Sequence, residues 1–236
     1  IKSKKIIIDS YKDFYNSYFA IKNKKAPFVD AKLAISKDYL TVNRHFKWIT
    51  NLLSRKRTHL LRSQYDCILS TSKTINKDNA LLNCRLNGFN QNKPDLIIID
   101  INQKIKKNLD LFKRFNKRKI YIVSSVKKFR KKFFTKNQNV KFINLRSLKN
   151  KEDFECLFKI LFSKGYNRIL VESGLIFLNE LIKFELIHNL YMFRSSIKLT
   201  KKGKNNTTSS IIKKFKLHNS IKVNLNDDKL YKIKIK

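Results

Sequence analysis

Glu172 holds the position in this sequence best suited to chemistry. It ends the apolar run RILV (168–171), and Ser173 and Gly174 separate it from a helical pattern. In open α/β sheets ligands collect at the carboxyl ends of strands, and a helix N-terminus there attracts phosphate. The plainer alternative is a carboxylate that simply caps the helix. Lys32 lies inside the run PFVDAKLAIS (27–36). An ammonium pointing inward from a strand is costly unless an acid faces it, whereas one alternating outward stays in water. Trp48, the sole tryptophan, reads by itself as a core residue. The metal-binding residue types are scattered. Cys67, Cys84 and Cys156 form no CxxC pair, and His45, His59, His188 and His218 form no HExxH motif. That pattern argues against a zinc site, and the odd number of thiols fits a reducing compartment.

The elements that must position these residues follow from periodicity. Aromatic spacing from Tyr11 to Phe19 predicts an amphipathic helix over about 10–22, and a strand opens at Pro27. Thr50 is placed to cap a helix, NLLSRKRTHLLR, with Leu52, Leu53, Leu60 and Leu61 on one face. A short strand, DCILST, precedes a polar loop running to about Pro94. The apolar runs LIIID (96–100), KIYIVSS (119–125) and VKFINL (140–145) read as buried strands of a largely parallel sheet. Helices over about 151–164 and 175–185 flank RILVESG, and NLYMFRSSI follows. KKGKNNTTSS (201–210) reads as a flexible loop. The alternating segments IIKKFKLHNSIKV and KLYKIKIK, joined at Asn226-Asp227-Asp228, carry a hairpin signal. The pattern predicts one α/β domain whose mostly parallel sheet ends in an antiparallel ribbon.

The chain has 236 residues, 54 Lys+Arg against 17 Asp+Glu, and a formal net charge of +37. Such charge invites a nucleic-acid reading, since Lys-rich surfaces bind phosphate backbones. The composition argues otherwise. There are 43 Lys but only 11 Arg, alongside 28 Ile and 25 Asn. These are residues with AT-rich codons, and the Lys is spread along the whole chain. A dedicated nucleic-acid binder favours Arg and clusters its charge. With 42% hydrophobic residues the chain can bury a real core, and no apolar run approaches the length of a membrane span. A soluble, cytoplasmic protein is the expectation.

The order of the motifs says more than any one of them. PFVDAKLAIS, KWIT, LLRSQYDCILSTSKTINKDNALLNCR, LIIID and LVESG, taken in sequence, resemble the reductase domain of the bifunctional riboflavin-biosynthesis deaminase–reductase family over about residues 10–197. The resemblance implies a dihydrofolate-reductase-like α/β fold. It also implies NADPH-dependent reduction of 5-amino-6-(5-phosphoribosylamino)uracil to the ribitylamino product. Matched cofactor positions are Ala34, Trp48, Thr74, Asp78, Ser173 and Gly174; matched substrate positions are Lys32, Arg62, Leu82, Arg85 and Glu172. Lys32 and Glu172 take the catalytic roles and are expected to form a buried opposite-charge pair near the sugar. Arg62 and Arg85 are expected to grip the sugar phosphate. Partners implied are the phosphorylated pyrimidine and a zinc deaminase domain, fused or separate, and the resemblance is compatible with a homodimer. Residues 1–26 would be the linker after such a deaminase, with the reductase domain spanning 27–236.

Several positions depart from the family pattern. Tyr39 replaces a glycine after Asp38, and Phe46 a polar residue two before Trp48. Ile101 follows Asp100 where a serine is expected, Leu175 stands where a proline follows the glycines, and His188 replaces an acid. Phe46, Ile101 and Leu175 are expected to touch ligand positions. Three functions remain in view: the riboflavin-pathway reductase, a same-fold reductase of another pyrimidine or pterin (or a degraded homologue), and a basic nucleic-acid binder. The strand end at Ser124 and Ser125, with Lys127 and Lys128, is the place expected to select NADPH over NADH, because its hydroxyls and ammonium groups suit a 2′-phosphate.

Overall fold

Runs of valine and isoleucine become strands covered on both faces. The computed structural model describes residues 9–90, 93–113, 118–125, 139–205 and 211–236. In chain order the strands are β1 (Phe28–Ile35), β2 (Val42–Asn43), β3 (Cys67–Thr71), β4 (Asp95–Ile99), β5 (Ile120–Ser124), β6 (Val140–Asn144), β7 (Arg168–Val171), β8 (Asn189–Arg194), β9 (Gly203–Lys204) and β10 (Lys229–Lys234). The helices are α1 (Asp9–Lys24), α2 (Leu52–Arg62), α3 (Ser72–Asp78), α4 (Asp110–Lys113), α5 (Lys151–Ser163) and α6 (Leu175–Lys183). Eight strands form one sheet in the order β10-β8-β1-β7-β3-β4-β5-β6. Every pairing in it is parallel except β10 with β8. The mostly parallel α/β sheet with an antiparallel C-terminal edge is therefore the observed fold. Among the described residues no helix is long and apolar enough to cross a membrane.

Strand alternation divides the interior into two layers. Val29, Ala31, Leu33 and Ile35 of β1 face Leu157 and Leu161 of α5 and Leu175, Leu178 and Leu181 of α6. The opposite layer contains Leu61, Ile68, Ile75, Ile98, Ile122 and Phe193. On this second side β1 presents Asp30, Lys32 and Ala34, so a strand with one fully apolar face carries charge on the other. Asp30 is buried and satisfied: it accepts from the Tyr65 hydroxyl at 2.6 Å and from the Asn189 backbone and side-chain amides.

The structure revises four local expectations. Asn51, not Thr50, caps α2, its side chain accepting from Ser54 N at 2.9 Å; both residue types cap well, and Asn51 sits at the point where the chain turns helical. The segment before Pro94 is not all loop. It contains α3, whose sequence SKTINKD buries Ser72 and Ile75 but shows too little apolar periodicity to announce a helix. The KKGKNNTTSS segment begins with a short 3₁₀ turn at Thr200–Lys202 and then β9, which pairs with β2; residues 206–210 lie outside the described residues. Gly203 is needed there, because a Cβ would come within 2.5 Å of Leu40 and 2.7 Å of Leu199. The antiparallel C-terminal edge does form, but its ladder runs between the last segment and β8 and not between the two tail segments. Lys229–Lys234 pairs along its whole length with β8, while the preceding segment supplies a 3₁₀ turn at Ile211–Lys214 and one isolated bridge, Ser220 to Tyr231. β8 pairs with one edge of β10, while the preceding segment, most of whose residues are exposed or half-buried, gains little by extending the sheet along the other.

Asp228 joins this tail to the rest. Its buried carboxylate accepts from Asn51 N at 2.9 Å, Ser54 Oγ at 2.7 Å and Ser196 N at 3.3 Å, linking the start of α2 to the end of β8. Asp228→Ala leaves these donors unsatisfied. Chemical denaturation should show a loss of about 2–4 kcal/mol. A midpoint equal to that of the parent chain would show that the tail does not support α2.

Candidate active site

Four segments meet where β1, β7 and β3 end. β1 contributes Lys32 and Ala34. The last turn of α2 contributes His59 and Arg62. α3, which follows β3 directly, brings Thr74 and Asp78, with Thr71 capping the helix by accepting from Thr74 N. The end of β7 brings Glu172, followed by the start of α6. They surround a cleft of about 1260 Å³. All eleven positions expected from sequence line it: Lys32, Ala34, Trp48, Arg62, Thr74, Asp78, Leu82, Arg85, Glu172, Ser173 and Gly174. Lys47, Arg55, Lys56, Lys73 and Lys77 also line it, so cations outnumber acids along its walls.

Glu172 and Arg62 form the charged centre. Arg62 Nε lies 2.5 Å from Glu172 Oε1 and Nη2 lies 2.9 Å from Oε2, a bidentate pair with both side chains about nine-tenths buried. Arg62 Nη1 donates to the Asn83 carbonyl at 3.1 Å. The main chain of Glu172 is held as well, its N–H on the Leu69 carbonyl and its carbonyl on the Ser70 hydroxyl. Burial by itself would raise the Glu172 pKa. The Arg62 charge and hydrogen bonds, helped by Lys32, outweigh that and hold it below the usual carboxylate value. The carboxylate does not cap the following helix; Gly174 occupies that place, with no side chain capping it. No side chain caps the N-terminal amides of α6, and a helix start of that kind suits the pyrophosphate of a dinucleotide.

This geometry corrects two expectations. Lys32 does not pair with Glu172: among the described residues no carboxylate lies within ion-pair distance of its ammonium. The carboxylate goes instead to the planar guanidinium that can satisfy both its oxygens. Arg62, for the same reason, does not stand wholly free to grip a phosphate, since three of its five N–H donors are engaged inside the protein. Lys32 reaches the cleft with its ammonium 5.5 Å from the centre of the Phe193 ring. Burial lowers its pKa; Glu172 opposes this and Arg62 adds to it. Arg85 is exposed on the rim, with Nη1 donating to Asn83 Oδ1 at 2.8 Å.

Other placements sharpen the picture. Trp48 is not a core residue: it is 54% exposed at the mouth of the cleft, with Lys47 and Arg55 over its ring at 5.2 and 5.0 Å. Of the departures from the family pattern, Leu175 lines the cleft and also fills the core, and Ala80 and Ser173, which replace a proline and a glycine of that pattern, line it too. Phe46 is 69% exposed and Ile101 packs against the main core, so neither lines the cleft as expected. Tyr39 adopts φ +65°, a left-handed conformation that glycine meets without strain. His188 stacks on Phe28 at 4.1 Å, far from the cleft lining. Ser124 is buried at the end of β5 and Ser125 gives its hydroxyl to the Ile101 carbonyl; Lys127 and Lys128 lie outside the described residues.

His59 is the cleft residue that sequence reasoning missed. Its Nδ1 sits 2.9 Å from the Asn83 carbonyl and 3.2 Å from Arg85 N, which would donate to it in the other tautomer. The available signal was spacing: three residues before Arg62, it shares that residue's helix face.

Fold and cleft together define a mostly parallel α/β domain with a large basic crevice at the carboxyl edge of its central strands. The chain belongs to the RibD C-terminal domain family, whose model matches residues 27–230. It is 29% identical over 176 residues to the riboflavin biosynthesis protein RibD of Buchnera aphidicola subsp. Baizongia pistaciae, covering 71% of this chain and 47% of that protein. The RibD of Haemophilus influenzae is 27% identical, with 71% and 46% covered. The chain thus spans about half the length of these curated relatives. Among solved structures, a diaminohydroxyphosphoribosylaminopyrimidine deaminase/5-amino-6-(5-phosphoribosylamino)uracil reductase from Thermotoga maritima superposes with TM-score 0.76 at 22% identity, over 96% of this chain and 61% of that one. The riboflavin biosynthesis reductase Rib7 of Saccharomyces cerevisiae superposes with TM-score 0.69 at 22% identity, over 96% and 99%. These likenesses show the same fold.

His59 also supplies a test of the site's electrostatics. Burial, then Arg62 and Arg85, push its pKa from 6.5 to about 4. Between those values the unfolded chain binds a proton that the folded chain refuses. Stability therefore falls as pH drops from 6.5 to 4 and recovers as it rises. In His59→Gln the melting temperature should vary less across that window than in the parent chain. Parallel curves would mean the imidazole is not shielded as its neighbours imply.

Proposed function

We propose that this chain is an NADPH-dependent reductase of 5-amino-6-(5-phosphoribosylamino)uracil. The observation that carries the reading is convergence: eleven residues spread from Lys32 to Gly174 line one cleft. The amides at the start of α6 and the Trp48 face suit a dinucleotide, and the cationic rim around Arg85 suits a sugar phosphate. When bound, the nicotinamide supplies a hydride to C1′ of the opened ribosylamine. The remaining proton has to come from the protein or from water reaching the cleft. Glu172 is poorly placed to give it, because Arg62 keeps the carboxylate ionised. Lys32 is better placed: burial lowers its pKa, which makes its ammonium a readier proton donor, and no carboxylate is clamped to it. In this mechanism the ring-opened substrate reacts as its C1′=N imine, and Lys32 donates the proton to the nitrogen as that bond becomes single. The Arg62–Glu172 pair orients the sugar hydroxyls, and Glu172, against the opposing charge of Arg62, stabilises the ammonium before transfer. A deaminase module, on the same or another polypeptide, would supply the substrate.

Purified protein should oxidise NADPH, followed at 340 nm, only when the phosphoribosylaminouracil is present. Glu172→Gln should cut turnover about 100- to 10,000-fold, the range for orienting and acid–base groups, while NADPH binding changes little. Near-normal turnover in this variant would take Glu172 out of the mechanism.

NADPH should be preferred to NADH, and the preference should shrink toward 1 M salt, where the Debye length is about 3 Å. Replacing Lys127 and Lys128 together by Gln should weaken NADPH binding and spare NADH. Equal loss for both cofactors would move the 2′-phosphate contact elsewhere.

A further inference from the structure

Arg118 has no place in the reaction as derived, yet it is among the largest side chains the protein buries completely, at 2% exposure. It stands just before β5. Among the described residues no carboxylate lies within ion-pair distance of it; Asp95 and Glu172 act on it only from further away. Burial and the nearby Arg62 push its pKa down to about 9, which leaves it a cation at neutral pH. A buried guanidinium without an acid is expensive, and Nε has no hydrogen-bond partner among the described residues.

What it does bond is informative. Nη1 donates to the Leu81 carbonyl and Nη2 donates to the Leu82 carbonyl at 2.7 Å. The next carbonyl, Asn83, accepts from Arg62. Three successive carbonyls of one irregular loop are therefore held from within by two guanidinium groups, one of them fixed in turn by Glu172. Leu82 adopts φ +50°, a conformation costing a residue with Cβ about 1–3 kcal/mol unless its surroundings impose it. With the carbonyls turned inward, Leu81, Leu82, Arg85 and Leu86 line the cleft.

We infer that Arg118 is a positioning residue that sets substrate affinity by holding the Leu81–Arg85 loop in its cleft-facing conformation. It touches neither substrate nor cofactor and acts through Leu82 and Arg85. The inference rests on the reductase reading for its substrate half only; the hold on the loop can be measured without catalysis.

The experiment compares Arg118→Met and Arg118→Lys with the parent chain. Hydrogen exchange should show faster exchange at amides 81–86 in Arg118→Met, with protection in β3 and β4 unchanged. The KM for the phosphoribosylaminouracil should rise about tenfold or more while the KM for NADPH moves less than twofold, the signature of lost ground-state binding on one side of the cleft. Arg118→Lys keeps a cation able to reach one carbonyl and should fall between. It also serves if the methionine variant does not fold. Unchanged exchange in the loop overturns the inference. So does faster exchange with an unchanged substrate KM, or an equal rise in both KM values, which would mark Arg118 as a support of the whole cleft. If the parent chain turns over no substrate, the reductase reading fails and the substrate half falls with it; the exchange result then decides the hold on the loop by itself.

Discussion

The bidentate contact between Arg62 and Glu172 is the interaction on which the cleft depends. It joins the last residue of α2 to the residue after β7, 110 positions apart in sequence, and both partners are buried. In a low-dielectric setting neither charge is tolerable alone, and removing one partner of such a pair typically costs about 3–5 kcal/mol. Around it the arrangement is ordered by what remains unsatisfied. Arg62 still has a donor to spend, and the Asn83 carbonyl takes it. Lys32, denied the carboxylate, keeps its ammonium facing the cleft.

That division separates roles which residue types alone would have merged. Four charged groups, Lys32, Arg62, Arg85 and Glu172, line one space, and distance decides their work. The two that touch satisfy each other's charge, and Arg62 holds the Glu172 carboxylate ionised. The other two line the cleft without touching that carboxylate, Lys32 from the floor on β1 and Arg85 from the rim. The field this creates is positive, as is that of the whole chain at +37, so doubly charged ligands meet favourable potential at long range and specific donors at short range.

Much of the fold was legible because the central strands are apolar on both faces. The runs around Ile98, Ile122 and Ile169 admit little but a covered sheet. Elements with little to bury were harder to see. α3 contributes one large apolar side chain, Ile75, and its polar residues read as loop. The tail's alternation was visible, but its partner was not, since β8 lies more than thirty residues earlier and a turn-like Asn-Asp-Asp suggested a nearer one. At the site, ordered motifs located every lining residue that the family pattern contains. They did not say which cation Glu172 would choose, because geometry rather than spacing selects the guanidinium. Arg118 was hidden for a different reason: in KRFNKRK it is one basic residue among many, and only burial sets it apart.

The place of β7 in the sheet has a consequence for how the molecule is assembled. β7 lies between β1 and β3, though it leaves the ribosome about a hundred residues after β3. Until it arrives, β1 and β3 have no common neighbour, and Lys32 and Arg62 belong to a half-sheet with no anion between them. Two cations sharing a forming interior resist its closure. The late strand that fills the gap also delivers the carboxylate that offsets the repulsion, so completion of the sheet and pairing of Arg62 are one event. Contacts of such separation make for slow, non-local folding. They also mean that a nascent chain stopped short of residue 172 has neither a continuous sheet nor a finished cleft.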